Sequence, residues 1–140
     1  MAIDPRTLKK YKIELVDQHE HVDLAVVKVV DSPHDIELRR GSANDLQQQD
    51  SIKLYGFPNY APGNQCAIRS GHVTDFQIVS AIRKILIDTS IIAGNSGGPV
   101  LDSQNRVIGV AAKGADSENN ASTTNRHEVI PIDALKHLKL

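Results

Sequence analysis

The sequence predicts an all-β protein, and two observations carry that prediction. Its apolar residues form short runs rich in Val and Ile, which Gly, Pro, Asn and Asp interrupt about every ten residues. This spacing is typical of a β-sandwich or β-barrel. The composition agrees, because 140 residues with 40% hydrophobic and 24% charged side chains suit one ordinary globular domain or two very small ones.

The elements follow in order along the chain. The segments with a strand pattern are 10–17, 23–30, 51–57, 65–79, 84–90, 98–103, 106–114 and 127–132. The polar, turn-rich stretch 32–50 predicts a connector between two sheet units, and 114–126 predicts a mobile surface loop. Only 132–140 has a helical pattern, in which Asp133 is placed to cap the helix and Leu135, Leu138 and Leu140 share one side.

Charge and cysteine content exclude several classes of partner. The net charge of −1 and the isoelectric point near 6.6 give no basic field for nucleic acid. No run of 18 apolar residues occurs and the first residues lack the apolar stretch of a secretory signal, so we expect no membrane partner. The single cysteine, Cys66, excludes an internal disulfide and favours an intracellular, reducing location. Nothing in the sequence predicts a cofactor.

Residues 94–99, Gly-Asn-Ser-Gly-Gly-Pro, place three glycines around Ser96. The G-x-S-x-G pattern occurs in the nucleophile elbow of α/β-hydrolases, but that elbow needs a helix directly after the serine, and here Pro99 and a strand pattern follow. A phosphate-binding loop would need a following Lys and a helix start, and both are missing. A glycine-rich turn without chemistry is the remaining alternative, and it has to account for the rest of the chain as well.

Six segments carry a resemblance to a known family. They are HVDLAVVKV (21–29), LRRGSANDLQQQDSIKLYGFP (38–58), IRSGHVTDF (68–76), IDTSIIAGNSGGP (87–99), GNSGGPVLDSQNRVIGV (94–110) and EVIPIDAL (128–135). In this order they resemble the trypsin/chymotrypsin-like serine proteases, most closely the disulfide-free HtrA/Deg branch. The resemblance covers nearly everything from about residue 10 to the end.

The resemblance implies an architecture and an activity. It implies a complete C-terminal β-barrel in residues 41–140 with a short C-terminal helix, and a remnant of an N-terminal barrel with its connector in residues 1–40. It implies a serine endopeptidase that hydrolyses peptide bonds through an acyl-enzyme on Ser96, with Asp23 as the orienting acid. The backbone N–H groups of Gly94 and Ser96 would form the oxyanion hole.

The same resemblance implies a substrate-binding site for an extended peptide or protein chain. Ser90 would lie at the bottom of the primary specificity pocket, and Ala111, Ala112 and Lys113 would belong to the strand that pairs with substrate. Glu128 would face the same pocket from the next strand, although a shift of one residue in strand register would turn it outward.

The resemblance also predicts that a catalytic component is missing. In the family, the histidine that acts as general base lies in a T-x-x-H segment upstream of the aspartate, and no such segment precedes Asp23. None of the histidines of this chain matches that position; they are His19, His21, His34, His72, His127 and His137. His127 is predicted at the rim or surface of the pocket strand. His19 and His21 have no third ligand at recognisable spacing, so we predict no metal site.

Without the front of the first barrel, apolar strand faces would be uncovered. We therefore expect a second chain, or a dimer, to complete the N-terminal barrel, and we expect the 140 residues alone to be nearly inactive as a protease. The alternative function is a non-catalytic module that holds an extended peptide as an added strand.

Overall fold

Six antiparallel strands form a closed barrel in the computed structural model, which describes residues 1–32, 37–113 and 127–140. Around the barrel the strands follow the order β10, β7, β6, β5, β8, β9. Their bounds are β5 Ser51–Gly56, β6 Ala67–Val79, β7 Ile82–Ile87, β8 Pro99–Asp102, β9 Val107–Lys113 and β10 Glu128–Pro131. The all-β prediction and the C-terminal barrel are confirmed.

The strands close into a barrel because alternate residues turn their apolar side chains inward. In β5, Ile52 and Leu54 are buried while Ser51 and Lys53 are exposed, which is the period of two expected for a strand with one buried face. Aliphatic side chains from all six strands meet in one core, together with two residues that precede β5 and one that follows β7. The buried members are Ala43, Leu46, Ile52, Leu54, Val73, Ile85, Ile87, Ile91, Val100, Ile108, Ala111 and Val129.

The N-terminal residues form two separate hairpins. Strand β1 (Ala2–Ile3) pairs with β2 (Lys10–Tyr11), and β3 (Ile13–His19) pairs with β4 (Leu24–Val29). Strand β1 has no counterpart among the predicted segments, because two residues are too few to show a hydrophobic period. One face of the β3–β4 hairpin carries aliphatic side chains that remain largely exposed.

The β3–β4 hairpin docks on the barrel through the turn that joins its strands. Val22 in this turn is buried against Ile82, Ile130 and Ala134. In strand β3, the carboxylate of Asp17 accepts a hydrogen bond from the backbone N–H of Lys139 at 2.8 Å. That bond holds the pKa of Asp17 below its ordinary value of 3.8, because it stabilises the ionised form.

Two short 3₁₀ helices, Ala43–Asp45 and Ile132–His137, lie outside the barrel strands. The C-terminal helix is therefore present, but Asp133 does not cap it: Pro131 is the N-cap and has no side-chain bond. The Asp133 carboxylate instead accepts hydrogen bonds from Ser42 Oγ at 3.1 Å and Ala43 N at 2.8 Å, and so links the two helices. Leu138 is buried, whereas Leu140 is exposed and does not join it.

The predicted loop 114–126 and His34 lie outside the described residues, as does the side chain of Lys113. Within the described ranges, no helix has the length and apolar character needed to cross a membrane. All barrel strands lie after residue 50, and the predicted boundary between residues 40 and 41 stays a prediction.

Candidate active site

Ser96 lies in the tight turn that leads from β7 into β8, and its side chain is exposed. Two backbone hydrogen bonds hold this turn: Asn95 N donates to Ile92 O at 2.9 Å, and Gly98 N donates to Asn95 O at 3.0 Å. The hydroxyl is thus presented at the outer side of a short, locally bonded loop.

Glycines make this turn possible. Gly94 has φ of +94°, and an added Cβ would lie 2.9 Å from both the carbonyl carbon of Phe57 and the Cα of Pro58, with the Phe57 oxygen closer still. Gly97 has φ of +87° but open space where its Cβ would be. Both backbones adopt a conformation that side chains with a Cβ disfavour, and Gly94 is also a position of close approach.

The Ser96 turn is bound to strand β9. Gly97 N donates to Ala111 O at 2.7 Å, and Ala111 N donates to Gly98 O at 2.9 Å. Both backbone groups of Ala111 are therefore engaged by the turn. The predicted pairing with an extended substrate thus depends on Ala112 and Lys113.

Within residues 94–98, the N–H groups of Gly94 and Ser96 differ from the other three. Asn95, Gly97 and Gly98 all donate backbone hydrogen bonds that shape the turn. Across residues 1–32, 37–113 and 127–140, neither Gly94 N nor Ser96 N has an acceptor. Two donors that the fold does not use, beside an exposed hydroxyl, are what an oxyanion hole requires.

Ser96 opens onto a cleft of about 660 Å³. The cleft is lined mostly by apolar groups, among them Leu38, Tyr55, Phe57 and Leu101, and Gly94 and Gly97 border it as well. The thiol of Cys66 also lies in its wall and is free. Beside the nucleophile candidate there is therefore room for a large apolar group or for further side chains.

Asn95, between the two candidate donors, is 1% exposed. Its side chain packs so closely on Gly56 that a Cβ there would lie 2.5 Å from Asn95 Oδ1. The Nδ2 atom has no hydrogen-bond partner in the described part of the chain. Asn95 thus anchors the turn inward by packing, while Ser96 points outward.

Asp23 does not share the cleft of Ser96. It lies in the turn between β3 and β4, exposed and with φ of +59°, and its N–H donates to His19 O at 2.9 Å. It borders a different hollow, together with residues of the same hairpin such as His19, Glu20 and Leu24. The role of Asp23 as orienting acid stays a prediction.

None of the histidines that the structure describes lines the cleft of Ser96. The rings of His19 and His137 lie 5.9 Å apart, at the contact between the β3–β4 hairpin and the C-terminal helix, and His21 lies 6.1 Å from His19. His72 pairs with Asp88 on the outer surface of the barrel, with 3.3 Å between Nδ1 and Oδ2. The backbone N–H of His72 also donates to Asp88, and these bonds hold the pKa of Asp88 below its ordinary value.

Two predicted pocket residues, Ser90 and Glu128, do not line the cleft of Ser96. Ser90 lies six residues before Ser96 and is half-buried, and Glu128, at the start of β10, is buried opposite Leu86 of β7. Their roles in a specificity pocket stay predictions. Among the described residues, no cluster of three or more His, Cys, Asp and Glu side chains is placed to hold a metal ion.

His127 is the residue whose position the sequence did not indicate. It is 6% exposed, not at the rim or surface, and its Nδ1 accepts a hydrogen bond from the backbone N–H of Ile91 at 3.0 Å. The two residues are 36 positions apart, so no local pattern could have connected them.

Comparison with known proteins identifies the family. The family model of the trypsin-like peptidase domain matches residues 3–110. The chain belongs to this family. Its resemblance to the HtrA/Deg serine proteases is confirmed by a structural match to Deg5, with a TM-score of 0.72 and 27% identity over 91% of this chain and 58% of that one.

Other relatives of the trypsin-like peptidase domain are more distant or match a smaller share of their length. "Protease Do-like 2, chloroplastic" of Arabidopsis thaliana is 34% identical over 95 residues, which are 64% of this chain and 15% of that protein. A glutamyl endopeptidase of Staphylococcus epidermidis is 26% identical over 116 residues, which are 78% of this chain and 40% of that protein.

The HtrA-type protease AlgW with a decapeptide shares the fold, with a TM-score of 0.74 and 22% identity over 92% of this chain and 39% of that one. This chain therefore spans less than two thirds of the length of each of these relatives.

Proposed function

We propose that this chain is the nucleophile-bearing part of a trypsin-like serine endopeptidase, with Ser96 forming the acyl-enzyme. The observation that carries the proposal is the pair of N–H groups at Gly94 and Ser96, which have no acceptor among the described residues and border the exposed hydroxyl. Negative charge that develops on a peptide carbonyl oxygen during attack by Ser96 would be stabilised there.

In this reaction the chain would supply the nucleophile and the oxyanion donors. Ser96 Oγ attacks the scissile carbonyl, and the donors hold the oxyanion of the tetrahedral intermediate. Expulsion of the amine leaves the acyl-enzyme, which water then hydrolyses. In acylation a base takes the proton from Ser96 and its conjugate acid gives a proton to the leaving amine. In deacylation the base takes the proton from water and its conjugate acid returns a proton to Ser96 Oγ.

The base, in our proposal, is a histidine from outside these 140 residues. The cleft beside Ser96 has room for it, and no described histidine lines that cleft. The segment that brings it would cover the aliphatic face of the β3–β4 hairpin, where Leu15 is 59% and Val27 48% exposed although they face each other across the pair. In that setting, Asp23 in the hairpin turn would orient the imidazole.

The substrate, in our proposal, is an extended segment of a peptide or protein. Ala112 and Lys113 continue β9 beyond the residue that the Ser96 turn engages, so they would pair with it. Ser90 and Glu128 would contact its specificity-determining side chain. The decapeptide complex of AlgW, a protein of the same fold, is in keeping with a substrate of this kind.

A fluorophosphonate probe tests this function, because it reacts with an activated serine. Three samples are compared: the chain alone, its Ser96→Ala variant, and the chain fused to the histidine-bearing strands of a Deg-type relative. We expect strong labelling at Ser96 in the fusion, labelling lower by several orders of magnitude in the chain alone, and none in the variant. Rapid labelling of the chain alone would contradict the proposal that the base lies outside it. Failure of a folded fusion to label would contradict the proposed endopeptidase function.

A second candidate function, a non-catalytic peptide-binding module, is favoured by one observation: Asp23 and Ser96 border different hollows. Such a module would bind extended peptides equally well with Ser or Ala at position 96. Peptide affinity of the folded fusion, measured alongside labelling, separates the two functions.

A further inference from the structure

The segment between the end of β7 and the Ser96 turn is held by few backbone bonds. Strand pairing of β7 ends at Ile87, and the bonds of the turn begin at Gly94, whose carbonyl accepts a hydrogen bond from Phe57 N at 3.1 Å. In between, Asp88 N donates to His72 O at 3.1 Å, and Ile91 N donates to a side chain, the imidazole of His127. The segment carries both Ser90 and the approach to Gly94.

His127 contacts this segment twice. Its carbonyl accepts a hydrogen bond from Ile87 N at 3.1 Å, and its Nδ1 accepts one from Ile91 N at 3.0 Å. Ile91 is 1% exposed and its side chain belongs to the barrel core, so water cannot easily replace the imidazole as acceptor. A buried N–H without an acceptor is strongly disfavoured.

The bond also specifies the state of the ring. Nδ1 can accept a hydrogen bond only if its lone pair is free, so the ring is neutral and its proton is on Nε2. Protonation would place a second N–H against Ile91 N–H and would break the contact.

We propose that His127 is a positioning residue for Ser96: it fixes the segment 88–93 and thereby the geometry of the oxyanion hole. This inference rests on the proposed function of Ser96. Ile91 lies three residues before Gly94, whose close approach to Phe57 and Pro58 leaves the turn little tolerance for displacement.

The side chain of Asn provides a matched test, because its Oδ1 follows Cγ as Nδ1 does in histidine and can accept the same bond. Leu has similar bulk and no acceptor. We compare His127→Asn and His127→Leu with the parent in the histidine-bearing fusion. His72→Leu is the control, since it removes the exposed ring contact with Asp88 in the same segment.

We measure amide exchange at Ile91 and the rate constant of fluorophosphonate labelling at Ser96, after confirming that each variant folds. We expect His127→Leu to accelerate exchange at Ile91 and to slow labelling by about fivefold or more, since the lost bond is worth at least that factor. His127→Asn should keep most of the amide protection at Ile91 and most of the labelling rate at Ser96. His72→Leu should change neither the protection nor the rate greatly.

Amide exchange and labelling test two different steps of the proposal, and each step has its own contradicting result. Protected Ile91 in a folded His127→Leu variant would overturn the contact as a constraint, and equal labelling of the Leu variant and the parent would overturn its role at Ser96. If His127→Leu does not fold, the test uses His127→Asn alone. Slow labelling of Ser96 in a folded His127→Asn variant whose Ile91 amide is still protected would overturn the proposal, because the bond would then be present without its effect. If the parent fusion itself never labels, the proposed function fails, and the role of His127 at Ser96 fails with it.

Discussion

Replacing Gly94 by Ala tests whether the Ser96 turn tolerates a Cβ at this position. The new Cβ has two costs. A side chain at φ of +94° is strained by about 1–3 kcal/mol. The Cβ also lies 2.9 Å from Phe57 C and Pro58 Cα, and nearer to the Phe57 oxygen, all of which are backbone atoms. Such overpacking adds about 1–3 kcal/mol, so the free energy of unfolding should fall by about 2–6 kcal/mol.

Gly97→Ala is the matched control for this substitution. Gly97 has nearly the same φ, +87°, but no atom lies within 4 Å of the place that its Cβ would take. Its substitution should cost only the strain, about 1–3 kcal/mol. The difference between the two variants isolates the steric contribution of the contact between Gly94 and residues 57–58.

The assay is urea unfolding of both variants and the parent, followed by circular dichroism. We expect Gly94→Ala to be less stable than Gly97→Ala by about 1–3 kcal/mol. In the histidine-bearing fusion, Gly94→Ala should also label more slowly at Ser96, because relief of the clash would displace the N–H group that we propose as a donor of the oxyanion hole. Equal stabilities of the two variants, within about 0.5 kcal/mol, would refute the reasoning.

Three further substitutions probe buried polar groups. Asn95→Asp places a carboxylate at a site that is 1% exposed, so we expect a loss of about 3–5 kcal/mol at pH 7 that shrinks toward pH 4, measured by urea unfolding. Thr89→Val removes a buried hydroxyl that has no partner in the described ranges, so melting should show unchanged or slightly raised stability. Burial raises the pKa of Asp102, but hydrogen bonds from Arg106 and Gln104 outweigh it and hold the pKa below 3.8. The ionised form therefore stabilises the fold above about pH 4, and Asp102→Asn should cost about 1–3 kcal/mol at pH 7 and progressively less below pH 4; a cost that does not depend on pH would contradict this.

The strands were predictable because their signal is local. In β5, for example, alternation of Ile52 and Leu54 with polar residues fixes both the element and its buried face. No single segment indicates which strands pair around the barrel. The family resemblance predicted the barrel itself but not this pairing. The cap assigned to Asp133 was wrong, because a carboxylate near a helix start can equally bind another chain segment, here Ser42 and Ala43, 90 residues or more away.

In the candidate site, too, local features could be predicted from the sequence and non-local contacts could not. The turn around Ser96 could be predicted, since its glycines and the two bonds within it, Asn95 N to Ile92 O and Gly98 N to Asn95 O, lie within a few residues of one another. The contact between His127 and Ile91 could not, because it depends on β10 entering the barrel beside β7. The relation of Asp23 to Ser96 is also non-local, and it depends on how a two-stranded hairpin sits against the barrel.

The proposed oxyanion hole and the hairpin that carries Asp23 differ in what holds them in place. The N–H groups of Gly94 and Ser96 are held by the turn, and the turn is held by Ala111 in a closed barrel. We therefore expect the proposed oxyanion hole to need no contribution from the β3–β4 hairpin. The hairpin contacts the barrel through Val22 and Asp17 but leaves the face with Leu15 and Val27 exposed, and in our proposal the segment that supplies the base covers that face. A histidine-bearing partner should thus raise the reactivity of Ser96 by supplying the base and by ordering the hairpin that carries Asp23, while amide exchange in the Ser96 turn stays nearly unchanged.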